Sequence, residues 1–129
     1  MKKNRSRPTE HQEQCVVARW LDLRGVLYAH PPNGGHRSAT VGARLKQAGT
    51  KPGLPDLLIF DPPPRAQAVG VAIEMKRVGA SPSTVSRHQR AWLAALEERG
   101  WVALVARGAA EAIGALEALG YGRPAGCGR

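Results

Sequence analysis

Residues 55–76 carry the sequence PDLLIFDPPPRAQAVGVAIEMK, in which two apolar runs flank a proline-rich connection. The runs at 56–61 and 69–76 are short and aliphatic, which predicts two buried β-strands. Because the connection between them is short, the strands are expected to pair as an antiparallel hairpin. If residues 61 and 69 form a pair beside the loop, counting back along both strands places Asp56 opposite Glu74.

One face of this hairpin is predicted to collect two carboxylates and an amine. Opposed residues have Cβ atoms about 4.5–5.5 Å apart, so Asp56 and Glu74 would repel each other. Lys76 lies two residues beyond Glu74 and points to the same face. A divalent cation relieves the repulsion, and carboxylate oxygens suit Mg²⁺. The alternative is that Asp56 only begins a strand and that Glu74 and Lys76 form a surface ion pair.

Helices and strands alternate on both sides of the hairpin. Thr9 and Gln12 match a capping box, which predicts a helix from there to about Arg24. Apolar periodicity and glycine or proline boundaries predict a strand at 26–30, a helix at 38–48, a helix that follows Ser81-Pro82-Ser83 and reaches Arg99, a strand at 101–106 and a helix at 109–119. This order, αβ(α)ββαβα, predicts an α/β fold in which helices flank a mixed central sheet.

Composition bounds the class of protein. The chain has 129 residues, 43% of them apolar, which is enough for one hydrophobic core. We divide it into a basic flexible arm at 1–8, one domain at 9–120 and a flexible tail at 121–129. No apolar run approaches the roughly 18 residues of a membrane-spanning helix, so no membrane partner is expected. Cys15 and Cys127 form no CxxC pair, which favours a reducing, cytoplasmic setting.

The charge balance favours a polyanionic partner. Nineteen Lys and Arg residues against ten Asp and Glu residues give a net charge of +9, and nucleic acid is the commonest polyanion in a cell. The first nine residues hold four cations and no anion. The stretch 37–51 contains no acidic residue and four basic ones, Arg37, Arg44, Lys46 and Lys51. We expect this stretch to bind phosphate groups, the alternative being an ordinary soluble basic surface.

The motifs around the hairpin resemble a known nuclease family. Pro55-Asp56, seventeen intervening residues and Glu74-Met75-Lys76 match the PD-(D/E)xK signature, and αβββαβ is the core of that superfamily. The ordered set GLPDL at 53–57, IEMK at 73–76 and QxxWL at 89–93, followed by Gly100-Trp101, resembles the virus-type replication-repair nucleases, or VRR-NUC family. The resemblance extends from about Thr9 to Ala106.

The resemblance implies the chemistry of the hairpin. It implies a metal-dependent DNA endonuclease that hydrolyses phosphodiester bonds with Mg²⁺, for which Mn²⁺ can substitute. Asp56 and Glu74 would be metal ligands, together with the backbone carbonyl of Met75. Lys76 would be the catalytic lysine.

Three further positions take roles only through the resemblance. In the family an acidic residue of the first helix joins the metal shell; Glu10 fits best, with Glu13 one turn away as the competitor and a solvated glutamate as the alternative. Gln89 would lie near the catalytic centre and bind water or phosphate, unless it is simply exposed on its helix. Asn33 falls in a loop that would contact DNA, unless this is an ordinary turn.

Two expectations concern the substrate preference and the oligomeric state. No motif resembles a base-reading module, so structure-selective cutting of branched DNA, such as four-way junctions, is favoured over sequence-specific cutting. One site cuts one strand, so a homodimer is expected, with an interface drawn from Leu93, Leu96, Ala112, Leu116 and Leu119 unless these complete the core. The alternatives are a sequence-specific or RNA-directed nuclease on the same core, or a non-catalytic DNA-binding accessory protein.

Overall fold

The first helix begins where its capping box predicts. In the computed structural model, which describes residues 6–32 and 38–122, helix α1 spans Glu10–Leu23. The Thr9 hydroxyl accepts a hydrogen bond from the Gln12 N–H, and the Gln12 side chain accepts one from the Thr9 N–H. The helix ends before Gly25, whose φ of 64° lies in the left-handed region that glycine favours.

The other elements follow in the predicted order. They are β1 (Tyr28–Ala29), α2 (Ala39–Gln47), β2 (Leu57–Ile59), β3 (Val71–Lys76), α3 (Arg87–Glu98), β4 (Val102–Arg107) and α4 (Ala109–Ala118), with a 3-10 turn at Pro82–Thr84. The sheet has the order β1-β2-β3-β4, with β3 and β4 parallel and the other pairs antiparallel. The predicted α/β fold with a mixed sheet is therefore confirmed. None of the helices in the described ranges is long and apolar enough to cross a membrane.

The hairpin has the predicted register. Leu57 pairs with Ile73 and Ile59 pairs with Val71, so Asp56, one residue before β2, lies opposite Glu74. Two strands are shorter than predicted: β1 contains two residues and β2 contains three. The N–H of Leu27 donates to the Asp61 carboxylate at 2.8 Å rather than to a strand, which ends the regular pairing there.

Alternate residues of β3 face two different layers. Ile73 and Met75 join a fully buried core with Val17 and Leu21 of α1. Glu74 and Lys76 point to the opposite face of the sheet. There both side chains are hydrogen-bonded to Gln89, in the first turn of α3. The sheet thus has a core of α1 and α4 on one face and α3 on the other. The charged residues therefore lie on the α3 face.

Part of the predicted dimer interface belongs to this core instead. Ala112 and Leu116 are fully buried, and Leu119 packs against the same cluster. The assignment of Ala112 and Leu116 to an interface was wrong, because both complete the core of the chain. Leu93 and Leu96 stay half-buried on α3.

Helix α3 begins at Arg87, later than the prediction that it directly follows Ser81-Pro82-Ser83. Pro82 opens only a 3-10 turn, and Val85 is extended with φ −80° and ψ 112°. The helix starts at Arg87, because the Ser86 hydroxyl accepts from the Gln89 N–H and the Gln89 side chain accepts from the Ser86 N–H. This second capping box, Ser-x-x-Gln, is a local sequence signal for the start of α3 that the prediction did not include.

The predicted arm and tail lie largely outside the described residues. Residues 1–5 of the predicted arm and 123–129 of the predicted tail belong to that part of the chain. Tyr121, which the predicted tail includes, is buried in the core. Its hydroxyl donates to the Asp61 carbonyl at 2.6 Å.

Candidate metal centre

Three carboxylates meet at one end of the β2–β3 hairpin. Glu10 comes from the first turn of α1, Asp56 immediately precedes β2 and Glu74 lies on β3. One oxygen from each lies within 4.8 Å of the other two. The capping box that starts α1 and the register of the hairpin together bring these residues to one place.

In each of the two hairpin carboxylates, one oxygen accepts a hydrogen bond. Asp56 Oδ2 accepts from the Met75 N–H at 2.7 Å. Glu74 Oε2 accepts from Gln89 Nε2 at 3.2 Å and lies 3.7 Å from Lys76 Nζ. Glu74 Oε1 is buried and has no hydrogen-bond partner among the described residues. A buried acceptor without a partner is rare in folded proteins, and a bound ion would satisfy it.

The electrostatics of the cluster favour a cation. Burial, and then the neighbouring Asp56 carboxyl group, raise the pKa of Glu74 to about 9. Loss of hydration also raises the pKa of Glu10, where the Lys76 charge opposes the shift and the Asp56 charge adds to it. A cation would favour the ionised form of both groups. Three carboxylates with one orphaned oxygen fit a hard divalent ion such as Mg²⁺ or Mn²⁺.

Lys76 lies between the carboxylate cluster and α3. Its side chain is only 9% exposed, and its Nζ donates to Gln89 Oε1 at 3.1 Å. The same Gln89 oxygen accepts from the Ser86 N–H at 2.8 Å. One amide group therefore caps α3, orients Lys76 and donates to Glu74.

Glu13 serves a different purpose from Glu10. Its carboxylate accepts a hydrogen bond from the N–H of Ala109, the first residue of α4. Helix α4 has Gly108 as its N-cap, which offers no side chain for capping. A Cβ at residue 108 would lie 2.6 Å from Glu13 Oε2, so glycine leaves room for this contact. Of the two candidates on α1, the structure brings Glu10 to the cluster and Glu13 to α4.

The loop that precedes Asp56 is fixed on two sides. His30 Nδ1–H donates to the Asp56 carbonyl at 2.6 Å, and Trp92 Nε1 donates to the Pro52 carbonyl at 3.0 Å. Gly53 has φ of 85°, and a Cβ there would lie 2.5 Å from the backbone of His88. Only glycine allows the loop to approach the start of α3 this closely.

The predicted phosphate-binding residues that the structure describes are exposed on α2 and in the loop after it. Arg44 and Lys46 are exposed on α2, which has no buried residue, and Lys51 is exposed in the loop that follows. Asn33 and Arg37 lie outside the described residues.

Met75 lies between Glu74 and Lys76. Its side chain is buried in the core, and its N–H donates to the Asp56 carboxylate.

Comparison with known proteins agrees with this geometry. The model of the VRR-NUC domain matches residues 8–110. A solved structure described as a VRR_NUC domain protein is similar to this chain, with a TM-score of 0.70 and 27% sequence identity. The similarity covers 89% of this chain and 93% of the other. No curated protein matches the sequence. The matched span, the shared fold and the carboxylate cluster together show that the chain belongs to the VRR-NUC family of nucleases.

Proposed function

We propose that this nuclease is a DNA endonuclease that requires Mg²⁺, or Mn²⁺ in its place, and that prefers branched DNA. The observation that carries the proposal is the cluster of Glu10, Asp56 and Glu74 beside Lys76. Within the described part of the chain, one buried Glu74 oxygen of this cluster has no hydrogen-bond partner. In this proposal the three carboxylates and the Met75 carbonyl hold the ion. When bound, the ion acidifies a water molecule and neutralises phosphate charge.

The residues of the chain supply orientation and charge. Phosphodiester hydrolysis forms a bond from water oxygen to phosphorus, breaks the bond to the leaving oxygen and moves a proton from one to the other. Lys76, 3.1 Å from Gln89 Oε1 and 3.7 Å from Glu74 Oε2, is placed to orient the attacking water or to stabilise charge on the phosphate. Gln89 holds both of these side chains, so it acts on the reaction by keeping Lys76 in position.

The DNA backbone is proposed to run across α2 toward the cluster. Arg44, Lys46 and Lys51 are exposed, and the stretch 37–51 has no acidic residue to neutralise them. Contacts of this kind bind phosphate without reading bases. They therefore support selection by DNA shape rather than by sequence.

A homodimer would place two clusters on one junction. The described residues form one carboxylate cluster per chain, and a single cluster accounts for one strand cut. The outer face of α3 offers an apolar groove lined by Ala91, Trp92, Ala95, Leu96 and Arg99. We propose this face as the dimer contact, since two-fold dimers are the commonest assembly and suit a nearly symmetric substrate.

A substrate panel tests the proposal. Plasmid, single strands, flaps and four-way junctions are incubated with Mg²⁺, with Mn²⁺ or with EDTA, and the products are separated on denaturing gels. We expect cleavage of the branched substrates in both metals and none in EDTA. Cleavage that persists in EDTA, or cleavage of RNA alone, would contradict the proposal. Binding without cleavage under every condition would identify a non-catalytic DNA-binding protein instead.

A further inference from the structure

Two arginines from distant parts of the chain hold the loop that follows Lys76. Arg7 Nη1 donates to the Val78 carbonyl at 3.2 Å, and Arg107 Nε donates to the Ala80 carbonyl at 2.7 Å. The loop, residues 77–81, therefore lies between two guanidinium groups. Gly79 has φ of 81°, and a Cβ there would lie 2.5 Å from Arg7 Nη1. Glycine at this position therefore leaves room for the Arg7 guanidinium group against the loop.

Most donors of these two guanidinium groups are unused. Each group carries five N–H donors, and within residues 6–32 and 38–122 each makes the single hydrogen bond described above. Neither has a carboxylate within ion-pairing distance in that part of the chain. Because a backbone carbonyl already orients each group, little further ordering is needed to bind an anion.

Arg107 is also a direct neighbour of Lys76 in the sheet. The two residues pair in the parallel register of β3 and β4, and paired strands lie about 4.8 Å apart with their side chains on the same face. Two cations side by side weaken a sheet. Lys76 has Glu74 as a counter-ion, whereas Arg107 has none among the described residues. A phosphate group between the arginines would offset this repulsion.

We propose that Arg7 and Arg107 form a phosphate clasp across loop 77–81, which holds the DNA backbone on the Lys76 side of the metal centre. The clasp rests on the proposed function for the identity of its ligand. It adds a cationic contact that is separate from the exposed residues of α2. DNA would thus contact two separate groups of cations, those of α2 and those of the clasp.

Salt dependence of DNA binding tests the clasp in EDTA, where no cleavage is needed. Each phosphate contact contributes about −0.9 to the slope of log K against log salt for a labelled duplex. Arg7→Gln and Arg107→Gln should each flatten the slope by about one unit, and the double variant by about two. Arg107→Lys keeps the charge and should keep the slope. Unchanged slopes in both glutamine variants would overturn the clasp, even if the wild type cleaves DNA.

A matched control and a wild-type measurement separate the clasp from a purely structural latch. Arg19 is exposed on α1 and its side chain makes no hydrogen bond within the described residues, so Arg19→Gln should leave the slope unchanged. A lower melting temperature for Arg107→Gln with an unchanged slope would show a latch only and overturn the proposal. If a variant does not fold, the ¹⁵N NMR signal of the Arg107 Nε–H in the wild type decides. It should shift when a short oligonucleotide is added in EDTA, and an unmoved signal would reject the clasp.

Discussion

The ammonium group of Lys76 donates a hydrogen bond to the side-chain oxygen of Gln89 at 3.1 Å, and that oxygen also caps α3. The start of a helix and the position of the proposed catalytic lysine therefore depend on one amide group. The same amide donates to Glu74. Removing it would disturb three contacts at once, whereas removing Ser86 would disturb the cap alone.

This difference gives a prediction about Gln89. Gln89→Ala should lower the single-turnover cleavage rate by about 10–100-fold, the range expected when a supporting contact of a metal site is lost. It should also lower stability by about 1 kcal/mol, as expected for a lost helix cap. Ser86→Ala should show the stability loss with near-normal cleavage, since Gln89 still contacts Lys76. Equal cleavage by the two variants would show that Gln89 acts only as a cap.

The hairpin carboxylates should be needed for cutting but not for binding DNA. Asp56→Asn and Glu74→Gln should abolish cleavage and metal binding measured by calorimetry. Their affinity for DNA in EDTA should be equal or higher, because Asp56→Asn removes negative charge near phosphate. Glu74→Gln should leave the affinity equal, since a pKa of about 9 keeps the Glu74 carboxyl protonated in the metal-free protein near neutral pH. Lys76→Met, in contrast, should lower cleavage by about 10²–10⁴-fold with the metal still bound. A wild-type rate in the Asp56 variant would reject the site.

The two glutamates of α1 should differ. Glu10→Gln should weaken metal binding and cleavage, because it removes one of three clustered carboxylates. Glu13→Gln should retain both, since an amide oxygen can still accept from the Ala109 N–H. Glu13→Ala should instead lower the melting temperature, because α4 loses its cap, at a cost of about 1 kcal/mol. The reverse pattern in metal titrations would make Glu13 the ligand.

The metal-free protein should lose stability as pH rises. Burial raises the pKa of Glu74 to about 9, from 4.5 in an unperturbed carboxyl. The native state then keeps a proton that the unfolded chain releases above its own pKa. The stabilisation is complete below pH 4.5 and is lost as the pH approaches 9. Melting curves in EDTA should show this decline for the wild type and a weaker one for Glu74→Gln; parallel curves would contradict it.

The exposed cations of α2 should contribute to binding through charge alone. Replacing Arg44 and Lys46 by alanine should flatten the salt dependence of duplex affinity by about one to two units. The cleavage rate at saturating enzyme should change little, because neither residue lies in the carboxylate cluster. Fluorescence anisotropy at several salt concentrations provides the measurement. An unchanged slope would place the DNA path elsewhere.

The parts of the fold that follow from local pattern were predictable. The register of the hairpin depends on side-chain alternation and on a short connection, so Asp56 could be placed opposite Glu74 before the structure was known. The start of α1 depends on Thr9 and Gln12, which are three residues apart. In both cases the interacting residues are close in sequence or linked by a simple period.

Other features depend on contacts between distant residues. The contact of Gln89 with Lys76 joins the start of α3 to β3 across 13 positions, beyond the reach of the local capping signal at Ser86. The role of Glu13 depends on Ala109, which lies 96 positions away. Leu116 looks available for a partner until α1 is seen to cover it. Apolar periodicity identifies such a face but does not show which element packs on it.

The contact between Glu13 and α4 has a consequence for the time at which the centre becomes complete during synthesis. The three clustered carboxylates, Lys76 and Gln89 all precede α3's second turn, so a nascent chain exposes them early. Glu13, one turn after Glu10, reaches its partner only once the N–H of Ala109 has emerged. Helix α1 packs on both β3 and α4, so its packing is complete only after α4 has formed. A chain that ends before Ala109 therefore lacks one of the two contacts that place α1, and with it Glu10, beside the hairpin.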